Sequence, residues 1–430
     1  MTDRISSPSP RGDSLRVLVS SYRSAPHVGG QGIYVRQLTR ALRAAGCEVT
    51  VVSGPPYPEL DPAIALEKLP SLDLFEENNA FFAFRPGFLA SRADMTEWLA
   101  HNTGAFAEMT SFALRLERFI KREGHRFDVI HDNQTLAPAM ARIDRRVPVV
   151  TTLHHPIAID RDFAVAGAGS WWRRALQRRW HSFVETQGKA GRRLPRFLAV
   201  SEAARDQYAA ICGIDARRIT VALNGIDHDQ FSADASIPRD ADHIVTLASA
   251  DVAVKGLDVL IDALALLKRR GQHPRLTVVG KLRDGPSKRA LEREGLMDQV
   301  RFLSGISGEA LRDLYRRASV FVSASRFEGF GLPAAEAMAC GAPVIVSSGG
   351  ALPEVAGDAG IVTPVEDAVA LAGALQRVLV DRDLQAQMSQ KSAARALAAF
   401  SWDRHAAAAI GLYGEAVQSR SGRKTGAGAP

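Results

Sequence analysis

Val320-Phe-Val-Ser-Ala-Ser-Arg-Phe-Glu328-Gly-Phe-Gly-Leu-Pro-Ala-Ala-Glu336-Ala-Met-Ala-Cys-Gly341-Ala-Pro-Val344-Ile-Val is the stretch that decides how this chain folds. Val320-Phe-Val-Ser-Ala is apolar and β-branched enough for a buried parallel strand. Pro333 opens an alanine-rich helix, and Gly341 stops it. Proline suits the first helical position because its missing N–H would find no partner there in any case. Val344-Ile-Val supplies the next strand. This is a β–α–β unit whose turn, at the C-terminal edge of the first strand, carries two carboxylates and two glycines. Bare amides at such a helix start bind anions, and the glycines let backbone come close to a ligand. One short segment can therefore hold phosphate by backbone and hydroxyls by carboxylate, a pairing that suits a sugar nucleotide.

Each glutamate alone has a plainer use. Glu336 would serve as a first-turn charge favoured by the helix dipole, and Glu328 as a solvated loop residue. A capping box does not account for them, since neither Leu332 nor Pro333 is a capping residue. The strand–turn–helix setting is what makes the pair more than two surface acids.

The same rhythm extends outward. Ile244-Val-Thr-Leu-Ala, Leu276-Thr-Val-Val-Gly280, Val300-Arg-Phe-Leu and Gly360-Ile-Val read as further strands, with Lys255-Gly256 heading a helix and a helical stretch from Ala368 to Ala399. In the first half, Leu15-Arg-Val-Leu-Val-Ser, Val49-Thr-Val-Val-Ser, Phe127-Asp-Val-Ile-His131, Val147 to His154 and Phe197-Leu-Ala-Val-Ser201 read as strands. A loop with Gly29, Gly30 and Gly32 leads into an amphipathic helix with Ile33, Val35, Leu38, Ala41, Leu42 and Ala45 on its apolar face. Another helix spans 108–123, while 54–110 is less regular, with a Phe81-Phe82-Ala83-Phe84 cluster. Repeated β–α alternation predicts an α/β protein with parallel, doubly wound sheets. The expected plan is a loose arm at 1–14, a first domain at 15–223, an Asp-, Ser- and Pro-bearing linker at 224–243 and a second domain at 244–400. Ser401 then caps a terminal helix to about Gln418 that packs back on the first domain, and 419–430 is a disordered tail. Ligands of open α/β sheets bind at the C-terminal strand edges, so both domains are expected to face a cleft.

The chain has 430 residues, room for two or three domains. Cys47, Cys212 and Cys340 are scattered and odd in number, which fits a reducing cytoplasm rather than a disulfide framework. No signal peptide or Cys/His metal cluster is read, and no apolar run reaches the ~20 residues that span a bilayer. The net charge of +7 is concentrated. Between Arg173 and Arg196 stand eight basic residues and one acid, Glu185, which equals the whole excess. Trp171, Trp172, Trp180 and Phe183 are interleaved with them. Such a helix suits the surface of an anionic membrane, or phosphate groups or nucleic acid, and reads equally as a solvated face over a few core aromatics. Nothing else resembles a nucleic-acid module, and no nucleic-acid partner is expected.

Taken together, the motifs resemble the retaining glycosyltransferases of family 4, which have the GT-B fold of two Rossmann-like domains. The segments that carry the resemblance are Gly29-Gly30-Gln-Gly32, Val200-Ser201-Glu202, Asn224-Gly225-Ile226-Asp227 with Phe231, Lys255-Gly256, Glu328 to Glu336, Met338-Ala-Cys-Gly-Ala-Pro343 and Gly349-Gly350-Ala-Leu-Pro353-Glu354-Val355. They cover nearly all of 15–415. The resemblance implies an enzyme that moves a hexosyl unit from a nucleoside-diphosphate sugar, the donor substrate, to a glycan or lipid-linked acceptor, with no cofactor and no metal. In it, Glu336 takes the ribose hydroxyls and Glu328 the donor-sugar hydroxyls. The amides of Phe330, Gly331 and Leu332 line the sugar–diphosphate end. Lys255 neutralises the leaving diphosphate, and Gly29 and Gly30 let the first domain close on it. His154 stands near the reacting sugar, and His131 is a candidate acceptor contact. An enzyme of this kind retains configuration by a front-face route, in which the leaving phosphate oxygen takes the acceptor's proton.

Several readings stay open beside it. The Lys-Gly pair reads also as a surface helix start, Gly29–Gly32 as a flexible loop, and His154 as a core histidine. A dinucleotide fingerprint at Gly30-Gln-Gly32 fails at Val35, where its third glycine belongs. Asp160-Arg-Asp162 and Asp381-Arg-Asp383 have a D-x-D form that GT-B enzymes do not use. One departure stands out: the family's arginine a few residues before the lysine is absent from Ala248-Ser-Ala-Asp-Val-Ala-Val-Lys255. Either Arg326, Arg283 or Lys281 is then expected to bring the second positive charge, or Asp251 to turn away, or the backbone amides to carry more of the load. A nucleotide-sugar epimerase and a sugar-nucleotide-binding regulatory protein are the alternatives. Acceptor choice is expected in 54–110 and 155–195, with peripheral contact to the inner membrane face through 171–196. UDP- and GDP-linked hexoses fit equally.

Overall fold

In the computed structural model, residues 14–25, 30–74, 84–248 and 251–426 are described. The chain divides into two units, the first built from Met1–Val200, Arg205–Ala222 and Trp402–Pro430, the second from Ser201–Ala204 and Leu223–Ser401.

The first unit runs β1 (Arg16–Ser21), α1 (Gly30–Ala44), β2 (Glu48–Ser53), β3 (Ala65–Lys68), α2 (Arg92–Asn102), α3 (Glu108–Glu123), β4 (Val129–Asn133), α4 (Pro138–Asp144), β5 (Val149–Leu153), α5 (Ile157–Ala166), α6 (Trp171–Trp180), α7 (Phe183–Gly191), β6 (Phe197–Ala199), α8 (Glu202–Cys212) and β7 (Ile219–Val221). Its seven strands are parallel in the order β3-β2-β1-β4-β5-β6-β7. Val17, Leu18 and Val19 of β1, Val129 and Ile130 of β4, and Val149 and Val150 of β5 are fully buried, as parallel strands covered on both faces must be.

The second unit runs β8 (His243–Leu247), α9 (Leu257–Arg269), β9 (Arg275–Val279), α10 (Pro286–Arg293), β10 (Val300–Leu303), α11 (Gly308–Arg317), β11 (Val320–Ser323), α12 (Leu332–Ala339), β12 (Val344–Ser347), α13 (Leu352–Ala356), β13 (Ile361–Thr363), α14 (Ala368–Val380) and α15 (Arg382–Ala399). The sheet is again parallel, in the order β10-β9-β8-β11-β12-β13. Leu260, Leu264 and Leu267 of α9 and Leu371, Leu375 and Val378 of α14 share one buried cluster with Val320 and Val322. The chain closes with α16 (Trp402–Gly426), which belongs to the first unit.

Both sheets reverse direction of growth beside their first strand. The switch points are β1/β4 and β8/β11, and the loops at their C-terminal ends are where such sheets bind ligands. The ends of β4 and β11 carry His131 to Asn133 and Ser323 to Glu328, respectively.

Several expectations are adjusted. Residues 54–110 contain β3 and α2, the latter started by Ser91, whose hydroxyl accepts from the Asp94 amide. The stretch 368–399 is two helices, broken where the Asp381 carboxylate caps α15 through the Leu384 amide. Residues 224–243 are packed within the second unit. Ile226 and Phe231 are buried there, and the Arg239 guanidinium donates to the carbonyls of Arg316, Ala318 and Gly341. The last helix continues past Gln418 to Gly426. The N-terminal arm up to Asp13, Gly29, Phe81 to Ala83 and the final residues 427–430 lie outside the described residues. Among the described residues, no helix is long and apolar enough to cross a membrane.

Candidate active site

In the second unit the site grows from the end of β11. Lys255 lies in a single 3-10 turn, Ala253–Lys255, and Gly256 caps α9 with φ 62°. A Cβ on Gly256 would sit 2.0 Å from the Ala324 carbonyl oxygen, so only glycine lets the lysine turn lie against the end of β11. The Lys255 ammonium donates to Glu328 Oε1 at 2.8 Å, and Ser325 Oγ donates to the same oxygen at 2.8 Å. The Glu328 backbone is held from behind. Its carbonyl accepts from the Ala351 amide at 2.9 Å, and a Cβ on Gly350 would lie 2.2 Å from that carbonyl oxygen. The Gly-Gly of 349–350 is thus explained by how closely it backs the turn.

Gly331, with φ 101°, starts α12, and Pro333 occupies the first turn. The Phe330 ring is buried edge-on against Phe400 at 5.7 Å. Ser201 Oγ donates to the Gly329 carbonyl at 2.6 Å and accepts from the Ala204 amide. The Glu354 carboxylate accepts from the Glu202 amide at 3.0 Å. The Val-Ser-Glu and Pro-Glu-Val motifs therefore act as braces of the glycine turn.

Glu336 differs from Glu328. It is 8% exposed and meets the Tyr315 hydroxyl at 3.5 Å. Burial pushes its carboxyl up to about 8, with the Tyr315 hydrogen bond working in the opposite direction. The folded chain therefore keeps a proton that the unfolded chain has lost, from the ordinary value of 4.5 up to about 8. Stability from this group is present at acid pH and is lost as pH rises through that interval. Glu336→Gln, neutral throughout, is expected to lose less thermal stability than wild type between pH 5 and 8. Melting curves across that range check it, and parallel pH profiles would contradict the assignment.

Arg326 does not supply the missing positive charge. Its guanidinium is taken by Asp258 at 2.7 Å, by Glu366 at 2.5 Å and by the Ala253 carbonyl. Asp258 first, and Glu366 with it, raise its pKa against the opposing effect of burial. It is a strut between α9, the Lys255 turn and the loop after β13. Asp251 accepts from the Ser287 amide at 2.9 Å, close to the start of α10. Its negative charge thus has an assigned use in capping that helix. Lys281 and Arg283 remain exposed after β9.

In the first unit, His154 follows β5. Its Nε2 meets Asn133 Oδ1 at 2.6 Å, its amide donates to Gln134 Oε1 at 2.5 Å, and its ring stands edge-on to Tyr34 at 4.4 Å. Burial, and then His405, lower its pKa to about 3, so the ring is neutral. His131 is not an acceptor contact. It is fully buried, with Nε2 2.7 Å from Thr152 Oγ1 and Nδ1 2.6 Å from the Tyr413 hydroxyl. Burial, with His405 and His154, lowers its pKa to about 3. Gly30 is the exposed first residue of α1 rather than part of a loop, and Gly32 lies inside that helix, where a Cβ would meet the Ala25 carbonyl at 2.1 Å.

Tyr34, Asn133, His405 and Tyr413 were not singled out from sequence. The first three surround His154, and all four join β4, β5, α1 and α16 across long stretches of chain. The D-x-D triplets have structural partners: Asp160 pairs with His155 at 2.8 Å, Asp162 with Arg161, and Asp381 caps α15.

A family model described as "Glycosyltransferase Family 4" matches residues 28–230, and one described as "Glycosyl transferases group 1" matches 229–395. An "MMP alpha-(1->4)-mannosyltransferase" of Mycolicibacterium hassiacum is 39% identical over 413 residues, which cover 94% of this chain and 98% of that protein. The chain belongs to glycosyltransferase family 4. A second relative of this glycosyltransferase, a "D-inositol 3-phosphate glycosyltransferase" of Saccharomonospora viridis, is 27% identical and covers 95% of each chain. Among solved structures, the sucrose-phosphate synthase of Thermosynechococcus elongatus aligns with a TM-score of 0.70 at 22% identity, over 94% of this chain and all of that one. The glycosyltransferase thus has the two Rossmann-like sheets of the GT-B class.

Proposed function

We propose that this glycosyltransferase moves a mannosyl unit from a nucleoside-diphosphate mannose to a glycan or lipid-linked hydroxyl, with retained anomeric configuration. The observation that carries this reading is the Lys255–Glu328–Ser325 cluster, set at the end of β11 beside the start of α12. The mannosyl choice draws on the relative named a mannosyltransferase. An incoming diphosphate takes Lys255 away from Glu328 and shares its charge with the amides of Phe330, Gly331 and Leu332, in the manner of a preorganised anion site. Glu328 is then free to accept from hydroxyls of the sugar, and Glu336 from the ribose. Gly29 and Gly30 would approach the diphosphate from the first domain, and His154 the sugar.

Retention by two carboxylates needs a nucleophile about 5 Å from an acid. Glu336, buried against Tyr315, is badly suited to be that partner, which favours a front-face route. The leaving phosphate oxygen then takes the acceptor proton as the new glycosidic bond forms. Positive potential comes from Lys255 and backbone amides, so we propose that no metal is required. Transfer assays with mannosyl and glucosyl donors test the reading: mannosyl donors are expected to be used preferentially, and turnover of neither would refute it.

We further infer an acceptor at a membrane surface. Trp171 is 80% exposed, and Trp172, Leu176 and Trp180, one turn apart on α6, are 48%, 54% and 36% exposed. The Arg173 guanidinium lies over the Trp172 ring at 5.1 Å. An aromatic stripe flanked by arginine suits the interface of an anionic bilayer, where each basic residue contributes about 1 kcal/mol. Replacing Arg173, Arg174 and Arg178 with glutamate is expected to abolish flotation with phosphatidylserine vesicles. Unchanged flotation removes the idea.

A further inference from the structure

We propose that Asn133 is a positioning residue that holds His154 as its Nε2–H tautomer and leaves the Nδ1 lone pair to accept a hydroxyl of the transferring sugar. The sugar contact rests on the reading of His154 given above, whereas the tautomer follows from hydrogen bonds alone. The Arg23 carbonyl can only accept, so Ser21 Oγ, 3.0 Å away, gives it its single proton. Ser21 Oγ therefore accepts from its other neighbours, Ser24 Oγ at 2.7 Å and the Asn133 side chain at 3.1 Å. The Asn133 atom facing Ser21 must then be the amide nitrogen, and the oxygen faces His154 Nε2 at 2.6 Å. An amide oxygen carries no proton, so Nε2 supplies it. In a neutral imidazole the lone pair then lies on Nδ1.

The neighbouring relay leaves this assignment undisturbed. The Ala222 carbonyl takes the proton of His405 Nδ1, so His405 Nε2 accepts from the Tyr34 hydroxyl at 2.9 Å. The Tyr34 oxygen accepts from Thr152, Thr152 from His131 Nε2, and His131 Nδ1 from Tyr413. Each proton of this chain has a destination other than His154. Tyr34 of α1, His131 of β4 and His405 of α16 are the titratable groups facing the ring, while the nearby Asp132 carboxylate is bonded to Ser20, Thr151 and the Thr135 amide. Among the described residues, no hydrogen bond reaches His154 Nδ1.

The test is nitrogen-15 NMR of histidine-labelled wild-type protein, with His154→Gln used for assignment. A protonated Nε2 and an unprotonated Nδ1 are expected, and the reverse pattern overturns the proposal. Asn133→Ala is expected to lower kcat roughly tenfold with little change in donor KM, as loss of an orienting partner does. Asn133→Asp, whose carboxylate favours the imidazolium, is expected to raise the ring pKa by about 1–3 units and move the acid limb of the kcat profile up with it. Asn133 is buried, so Ser21→Ala, which frees the amide to flip, provides a second variant, expected to show mixed tautomers. A wild-type kcat in the Asn133 variants, or a single unchanged tautomer in Ser21→Ala, overturns the positioning role. If His154→Gln itself keeps wild-type kcat, the reading of His154 fails while the tautomer assignment is decided separately by its spectrum.

Discussion

Lys255→Ala is expected to lower kcat by about 10²–10³-fold, the loss seen when one preorganised charge-stabilising donor is removed. Lys255 is paired to Glu328, a group it can exchange for a ligand. Arg326, the other cation of that region, is committed to Asp258 and Glu366. Thermal stability should change little, because an ion pair whose lysine is 33% exposed contributes little to folding. Lys255→Arg is expected to restore only part of the rate, since a planar fork does not replace a compact point charge at a site built around one. Glu328→Gln should also lower kcat more than it raises donor KM, and Glu336→Gln should do the opposite. Steady-state kinetics on the four variants separate these outcomes. A Lys255→Ala enzyme within a fewfold of wild type would remove the proposed anion site.

Gly256→Ala is expected to damage both fold and rate. The residue has φ 62°, and the added Cβ would stand 2.0 Å from the Ala324 carbonyl oxygen. That atom is backbone at the end of β11, so it cannot rotate away. The strained conformation alone costs on the order of 1–3 kcal/mol. Any relief moves the Lys255 turn away from Glu328, and a displacement of about 1 Å at a reacting centre can cost 10²-fold. Circular dichroism melts and kcat measured on the same preparation check this. An alanine variant with wild-type melting and wild-type rate would mean the close approach is not needed.

The β11–α12–β12 unit was readable because an apolar run, a proline and a terminal glycine stand next to one another. β3 was not, because Ala-Leu-Glu-Lys is a short edge strand with no apolar run and takes its form from pairing with β2. α2 was missed because its apolar residues do not gather on one face, and its start depends on the Ser91 cap. Glu328, Glu336 and Lys255 in the second unit, and His154 in the first, announced themselves by motif. Their partners did not. Tyr34 and His405 meet across 371 positions, and Arg326 finds its acids 68 and 40 positions away. Arg326 was accordingly one of three candidates for the second cation, with Arg283 and Lys281, when its charge is spent on holding α9 and the β13 loop. His131 was a candidate acceptor contact through the family resemblance alone, yet both of its ring nitrogens are engaged inside the core.

We propose that this family 4 enzyme transfers a sugar from a nucleotide donor with retained configuration and without a metal. Proton NMR of the first glycoside formed from an α-linked nucleoside-diphosphate mannose, in the presence of a chelator, tests it most directly. An α-linked product at an undiminished rate is the predicted result. A β-linked product, or transfer that stops with chelator and returns with a divalent cation, would contradict it.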